Sequence, residues 1–315
     1  MDKILVTNAS FARYSKESEK ILEDYGLSIV RPEHNKTDEK EMLDYLDDVV
    51  AIITGLEPIT QKIICSAPRL KVIAKHGIGV DNIDINAAKE NGITVINSPG
   101  TNREAVADLV FGLMLSLARN IPKSDSLVRG GEWPKVFGNS VWGKTLGIIG
   151  MGVIGKSVVH RAKGFNMKVM AFDKFWDKEY ADSNGVVYSE IDEIIKESDF
   201  ISLHVPLTED TRGLIGADKL NMMKPGAYLI NTSRGGVVDE NALYKALAEG
   251  KIAGAALDVF SSEPPAASPL LDLENVILTP HMAGFTDGAL SLTSEYVARA
   301  VIDVLEGKEP ASKIV

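Results

Sequence analysis

At 315 residues the chain is about twice the length of an ordinary domain, so two domains are expected. Hydrophobic residues make up 45% and charged residues 25%, the balance of a folded globular protein, which excludes disordered and fibrous classes. A formal net charge of -10 argues against nucleic acid as a partner, yet it leaves room for a local cationic cleft that collects a small carboxylate. Cys65 stands alone, which excludes a disulfide framework and fits a reducing cytoplasm. The opening Met1-Asp2-Lys3-Ile4-Leu5-Val6 is too short for a signal peptide, and no apolar run approaches the roughly 20 residues of a membrane helix. A soluble protein, with no membrane partner, is expected.

Up to residue 98, short β-branched runs at 4–7, 28–30, 49–54, 71–74 and 93–96 alternate with helical spacing at 14–25, 39–46, 60–66 and 83–90. Thr60 and Asp81 are available as helix caps. The alternation implies βαβ units and an open parallel sheet. Asn97-Ser98-Pro99-Gly100 breaks the rhythm, and 102–120 reads as a longer helix that stops at Ile121-Pro122. The turn-rich Arg129-Gly130-Gly131-Glu132-Trp133-Pro134 then offers either a subunit contact or a plain surface loop, the contact being preferred. Strands at 145–149, 168–172, 200–204, 227–231, 254–257 and 276–278 follow, six in all, enough for a dinucleotide fold. A final helix at 290–306 is expected to return to the first lobe. The expected organisation is α/β with two open parallel-sheet lobes: a flavodoxin-like substrate domain from 1–98 plus 288–315, and a Rossmann domain with a dimerisation arm from 99–287.

The strongest motif is Gly150-Met151-Gly152-Val153-Ile154-Gly155, which follows a buried-type strand and opens a helix. Gly150 permits the tight turn, Gly152 lets backbone amides reach a pyrophosphate, and Gly155 lets helix pack on strand. Asp173 ends the next strand, roughly 20 residues further on, where a carboxylate bonds the adenosine ribose hydroxyls and repels a 2′-phosphate. NAD is therefore expected over NADP.

Reactive groups belong beyond the carboxyl ends of the strands. Arg234, Glu263 and His281 follow three successive strands. His281 is the candidate acid–base for a hydroxyl proton, Glu263 its orienting partner, and Arg234 a bidentate match for an α-carboxylate. Of the other histidines, His34 and His160 read as surface positions and His204 as a structural strand-end residue.

Five segments together resemble the D-isomer-specific 2-hydroxyacid dehydrogenase family over nearly the whole chain. They are Lys75-His76-Gly77-Ile78-Gly79-Val80-Asp81-Asn82-Ile83-Asp84, Gly143-Lys144-Thr145-Leu146-Gly147-Ile148-Ile149-Gly150, His204-Val205-Pro206-Leu207-Thr208, Asn231-Thr232-Ser233-Arg234-Gly235-Gly236 and Asp258-Val259-Phe260-Ser261-Ser262-Glu263-Pro264-Pro265. The resemblance implies that Arg234 and the backbone amides of Gly77, Ile78 and Gly79, with His76 beside them, bind the substrate carboxylate. It implies cofactor contacts from Val153, Ile154, Val205, Thr232, Ser233, Arg234, Asp258, His281 and Gly284, with Asp258 near the nicotinamide carboxamide. A homodimer is also implied. The chain departs from many members at Val153, which stands where they carry an arginine that contacts pyrophosphate.

Within the family the first expectation is oxidation of 3-phosphoglycerate, because the first lobe is similar to phosphoglycerate dehydrogenases; feedback through a C-terminal regulatory domain is not expected. Thr54-Gly55-Leu56-Glu57-Pro58, however, lacks the arginine that some of them place near the substrate phosphate; His76 and Lys75 are either its substitutes or simply a strand end and a solvated lysine. The alternative is reduction of hydroxypyruvate or glyoxylate. A nucleotide-sensing corepressor on the same fold is a further alternative, against which the complete triad argues. No metal site is expected.

Overall fold

The computed structural model describes residues 2–32 and 38–315; His34 lies outside the described residues. Contacts divide the chain into two units, Met1–Asn102 with Phe285–Val315, and Arg103–Gly284. The expected boundaries at 98/99 and 287/288 fall within a few residues of these.

The first unit alternates β1 (Lys3–Val6), α1 (Glu17–Asp24), β2 (Ser28–Val30), α2 (Glu39–Leu43), β3 (Val49–Thr54), α3 (Gln61–Cys65), β4 (Val72–Lys75), α4 (Ile85–Glu90) and β5 (Thr94–Ile96). Its strands are all parallel in the order β2-β1-β3-β4-β5. Every residue of the central strand β3, Val-Val-Ala-Ile-Ile-Thr, is buried, as expected for a sheet covered on both faces. Thr60 caps α3 by accepting from the amide of Ile63. The cap of α4 is Asp84 rather than Asp81, because the helix begins at Ile85 and its free amide at Ala87 is 2.9 Å from the Asp84 carboxylate.

The second unit runs α5 (Arg103–Ala118), α6 (Ile121–Arg129), β6 (Thr145–Ile149), α7 (Val153–Gly164), β7 (Lys168–Phe172), α8 (Lys178–Asn184), β8 (Val186–Tyr188), α9 (Ile191–Glu197), β9 (Phe200–Leu203), α10 (Ala217–Met222), β10 (Tyr228–Asn231), α11 (Glu240–Ala248), β11 (Gly254–Leu257) and β12 (Val276–Leu278). Seven parallel strands are ordered β12-β11-β10-β9-β6-β7-β8. Counted within the unit, this is the 3-2-1-4-5-6 dinucleotide arrangement with a seventh strand added. The six strands read from sequence therefore omit β8, the third of that order, and include the extra one. β8 is a three-residue edge strand with only Val186 buried, too short to show a period. Proline 122 does not end helicity at 121; it occupies the first turn of α6, where its missing N–H costs nothing.

The last helix, α12 (Asp287–Leu305), is capped by Thr286 and packs into the first unit. Its Val297, Ala298, Ala300 and Val301 share one core with Ile4, Val6, Phe11 and Val72. The final residues then run along β5, with Ile314 N donating to Val95 O at 2.8 Å. Among the described residues no single helix is long and apolar enough to cross a membrane.

Candidate active site

In the second unit β6 lies between β7 and β9, so the sheet reverses its winding direction at the carboxyl ends of β6 and β9. The glycine turn sits there. Gly150 has φ +102°, and a Cβ on it would lie 2.5 Å from the His204 carbonyl oxygen, so only glycine fits. Val205 lines the same spot, 3.1 Å from that hypothetical atom. Gly152 caps α7 without a side-chain bond, and a Cβ on it would meet nothing within 4 Å. The first amides of α7 therefore face open space beside Val153, which is 49% exposed, and Ile154. Gly155 lies buried in the first turn of α7.

Asp173, just past β7, accepts from Met151 N at 2.7 Å and from Phe175 N at 2.9 Å, which ties the acid to the glycine turn. Lys174, the cation beside it, is paired with Asp210 at 2.7 Å. Thr232 Oγ1 is buried with no partner among the described residues. A helix start open to an anion, a fixed carboxylate and an orphaned hydroxyl are what a dinucleotide of the NAD type uses.

The structure joins two members of the expected triad directly. His281 Nδ1 and Glu263 Oε2 are 2.8 Å apart, and Glu263 Oε1 accepts from Phe260 N at 3.1 Å. An ionised Glu263 can only accept, so Nδ1 carries the proton and Nε2 is left for chemistry. His281 has φ 51°, a left-handed conformation that costs a non-glycine residue about 1 kcal/mol. Asp258 holds the loop against that cost. It is 0% exposed; Oδ1 accepts from Thr279 Oγ1 at 2.6 Å and Met282 N at 2.9 Å, while Oδ2 accepts from Ala283 N at 2.9 Å. Both Asp258 oxygens are thus engaged inside the protein, a positioning role that spacing did not reveal. Gly284 closes the loop.

Arg234 follows β10, where Asn231 organises the turn by accepting from Ser233 N and Oγ and donating to Arg234 O at 2.9 Å. Arg234 Nη1 donates to Ser233 O at 2.7 Å. The Arg234 and Glu263 loops touch backbone to backbone: a Cβ on Gly235 would collide with Phe260 and with Ser261 N.

The first unit carries the 77–79 loop at the end of β4. Ser98 Oγ accepts from Gly77 N at 2.9 Å, and Asn97 Nδ2 donates to Ile78 O at 2.8 Å. The amide of Gly77 is therefore spent, which corrects its expected place among the carboxylate donors; the amides of Ile78 and Gly79 donate to no acceptor among the described residues. Ser98, read from sequence only as a break, fixes this loop.

His76 and Lys75, one reading of which made them substitutes for a phosphate-binding arginine, are both engaged within the first unit. His76 is buried, its Nε2 is 2.9 Å from Ser294 Oγ, and desolvation pushes its pKa down to about 4, so it is neutral at pH 7. Lys75 is buried too, and its ammonium donates to Gly55 O and, at 2.6 Å, to Asn82 Oδ1. His204 is structural, as read: it meets Ser202 Oγ at 2.8 Å, and burial lowers its pKa to about 4. His160 is exposed.

Residues 111–283 match the family described as "D-isomer specific 2-hydroxyacid dehydrogenase, NAD binding domain". The chain is 45% identical over 312 residues to D-3-phosphoglycerate dehydrogenase of Methanocaldococcus jannaschii, covering 98% of this chain and 58% of that protein. It is 42% identical over 303 residues to glyoxylate reductase of Korarchaeum cryptofilum, covering 94% and 91%. D-lactate dehydrogenase from Aquifex aeolicus, solved with NAD and lactic acid, superposes with TM-score 0.83 at 30% identity, covering 97% and 96%. The fold and the matched residues define a class of NAD-dependent oxidoreductases. The chain belongs to the D-isomer specific 2-hydroxyacid dehydrogenase family, and its cofactor is NAD.

Proposed function

We propose that the protein interconverts a small, unphosphorylated 2-oxo acid and its D-2-hydroxy acid, with glyoxylate and hydroxypyruvate as candidate substrates. The observation that carries this reading is the His281–Glu263 pair at 2.8 Å, held on a pinned loop in a dinucleotide fold. Gly150, Gly152, Val153, Ile154 and Gly155 would cradle the pyrophosphate of NAD, Asp173 the ribose, and Val205, Thr232, Ser233 and Gly284 the rest. When bound, NAD(H) supplies or takes up the hydride. His281 Nε2 gives a proton to the carbonyl oxygen in reduction and removes it in oxidation, and Glu263 stabilises the imidazolium. Arg234 pairs with the substrate carboxylate and polarises the adjacent carbonyl, and the amides of Ile78 and Gly79 are assigned as further carboxylate donors.

The absence of phosphate from the substrate is supported by Lys75 and His76, which are both engaged within the first unit. The 45% identity to a phosphoglycerate dehydrogenase favours 3-phosphoglycerate as a second reading. Initial rates with NADH and glyoxylate, hydroxypyruvate or 3-phosphohydroxypyruvate separate the two. We expect kcat/KM for the best unphosphorylated acid to exceed that for 3-phosphohydroxypyruvate by about tenfold or more; the reverse order establishes the second reading. NADH binding without turnover of any of the three would indicate the corepressor-type alternative.

A homodimer is part of the proposal. No residue of α6 is buried, and Trp133, Phe137 and Trp142 beyond it are 87%, 86% and 65% exposed. Large apolar side chains displayed so fully along one segment fit an interface with a second copy of the chain. Sedimentation should give a dimer, and Trp133→Glu combined with Phe137→Glu should give a monomer; a monomeric parent protein removes the proposal.

A further inference from the structure

The first unit has a reversal point of its own, between the carboxyl ends of β1 and β3 in the order β2-β1-β3-β4-β5. Open α/β sheets place ligands in the crevice at such a point. Glu57 spans it. The carboxylate oxygen Oε2 accepts from Gly55 N at 2.8 Å and Thr54 Oγ1 at 3.3 Å, both at the end of β3, and from Thr7 Oγ1 at 3.2 Å, just past β1. The other oxygen, Oε1, takes no hydrogen bond among the described residues.

The loop is rigid. Asn82 Nδ2 donates to Glu57 O and Gly55 O, and Thr54 Oγ1 also reaches Glu57 O at 3.2 Å. The adjoining strand β4 bears the 77–79 loop, and the two strands stay in register to their ends, with Thr54 opposite Lys75. The Glu57 loop and the loop assigned to the substrate carboxylate therefore lie side by side at the carboxyl edge of one sheet. Of the groups at this edge, Lys75 is buried with its ammonium turned onto Gly55 O and Asn82 Oδ1, His76 is neutral, and the guanidinium of Arg13 sits over the Tyr14 ring at 5.7 Å, whereas Glu57 Oε1 carries acceptor capacity that no described residue uses.

We infer that Glu57 is a specificity-determining residue that selects 2-oxo acids bearing a hydrogen-bond donor, such as a hydroxyl, on C3, and rejects those phosphorylated at that position. The inference rests on the proposed reduction of small 2-oxo acids. With their carboxylate on the 78–79 amides, the substituent at the far end meets the adjacent loop. A C3 hydroxyl donates to Oε1, a methyl group leaves that oxygen unpaired, and a phosphate dianion is repelled by it.

The test compares kcat/KM ratios within single preparations, so that any loss of folded protein cancels. The substrates are hydroxypyruvate, its methyl isostere 2-oxobutyrate and 3-phosphohydroxypyruvate, with glyoxylate, which has no C3, as the common reference. In the parent protein hydroxypyruvate should exceed 2-oxobutyrate by about tenfold or more. Glu57→Ala should bring that ratio to within about threefold of one. Glu57→Gln keeps an acceptor but removes the charge, and should raise the 3-phosphohydroxypyruvate to glyoxylate ratio by about tenfold. A parent protein that turns over all four acids, with ratios unchanged in both variants, overturns the role of Glu57 alone. A parent protein that reduces none of them with NADH removes the functional reading and this inference with it.

Discussion

Replacement of His281 by alanine is expected to lower kcat by roughly a thousandfold while changing the NADH dissociation constant by less than about threefold. Proton transfer to the carbonyl oxygen needs a group with a proton to give near neutral pH, and the Nδ1–Glu263 bond leaves His281 Nε2 in that role. Glu263→Gln should cost less, because an amide oxygen still accepts from Nδ1 and only its charge is lost; roughly tenfold to a hundredfold in kcat is expected. Steady-state rates with the best 2-oxo acid, alongside fluorescence titration of NADH, make the comparison. Turnover by His281→Ala at the parent rate would take His281 out of the mechanism.

The second large effect is expected from Asp258→Ala, a residue assigned no chemistry. Its carboxylate takes three hydrogen bonds from the loop that holds His281 in a left-handed conformation, and its own carbonyl oxygen accepts from His281 N at 2.9 Å. Removing the side chain leaves two backbone amides, that of Ala283 buried and that of Met282 partly so, without an acceptor, a loss of about 2–4 kcal/mol of stability. With the loop released, His281 no longer needs to face its substrate, so kcat should fall by at least about tenfold in the fraction that stays folded. Thr279→Val removes only one of the three donors and should give a small fraction of either effect. Denaturant unfolding and kcat normalised to folded protein read the two effects separately; parent-like values for both in Asp258→Ala would show that the loop holds itself.

Strand positions were legible because each core strand is a β-branched run buried on both faces, as in Val49–Thr54. β8 was not, because three residues at a sheet edge carry no period. The glycine turn and its acid were legible because the backbone shape of a pyrophosphate cradle demands those residue types in that order. Arg234, Glu263 and His281 stood out as ionisable groups past successive strands, but only coordinates show which of them bond. What stayed hidden has one physical character: it depends on which polar atom is already satisfied. A glycine amide reads the same whether or not Ser98 occupies it, and a histidine beside a lysine suggests positive charge until burial lowers its pKa to about 4. Asp258, which the resemblance places beside the cofactor, also takes its donors from the His281 loop, a second role that no spacing announces.

The return of α12 to the first unit bears on the order in which the molecule is assembled. Residues 103–284 form one unbroken stretch whose sheet and helices can close as soon as that stretch is available. The first unit instead keeps part of its core, Val297, Ala298, Ala300 and Val301, at the far end of the chain from Ile4 and Val6. Synthesis from the N-terminus thus presents the earliest strands with their final packing partner last, and closing so long a loop is slow relative to local pairing. During that interval the apolar residues around Phe11 and Leu22 await their cover, which leaves the first-made third of the 315 residues the last to become native and the part most exposed to chaperones and to aggregation.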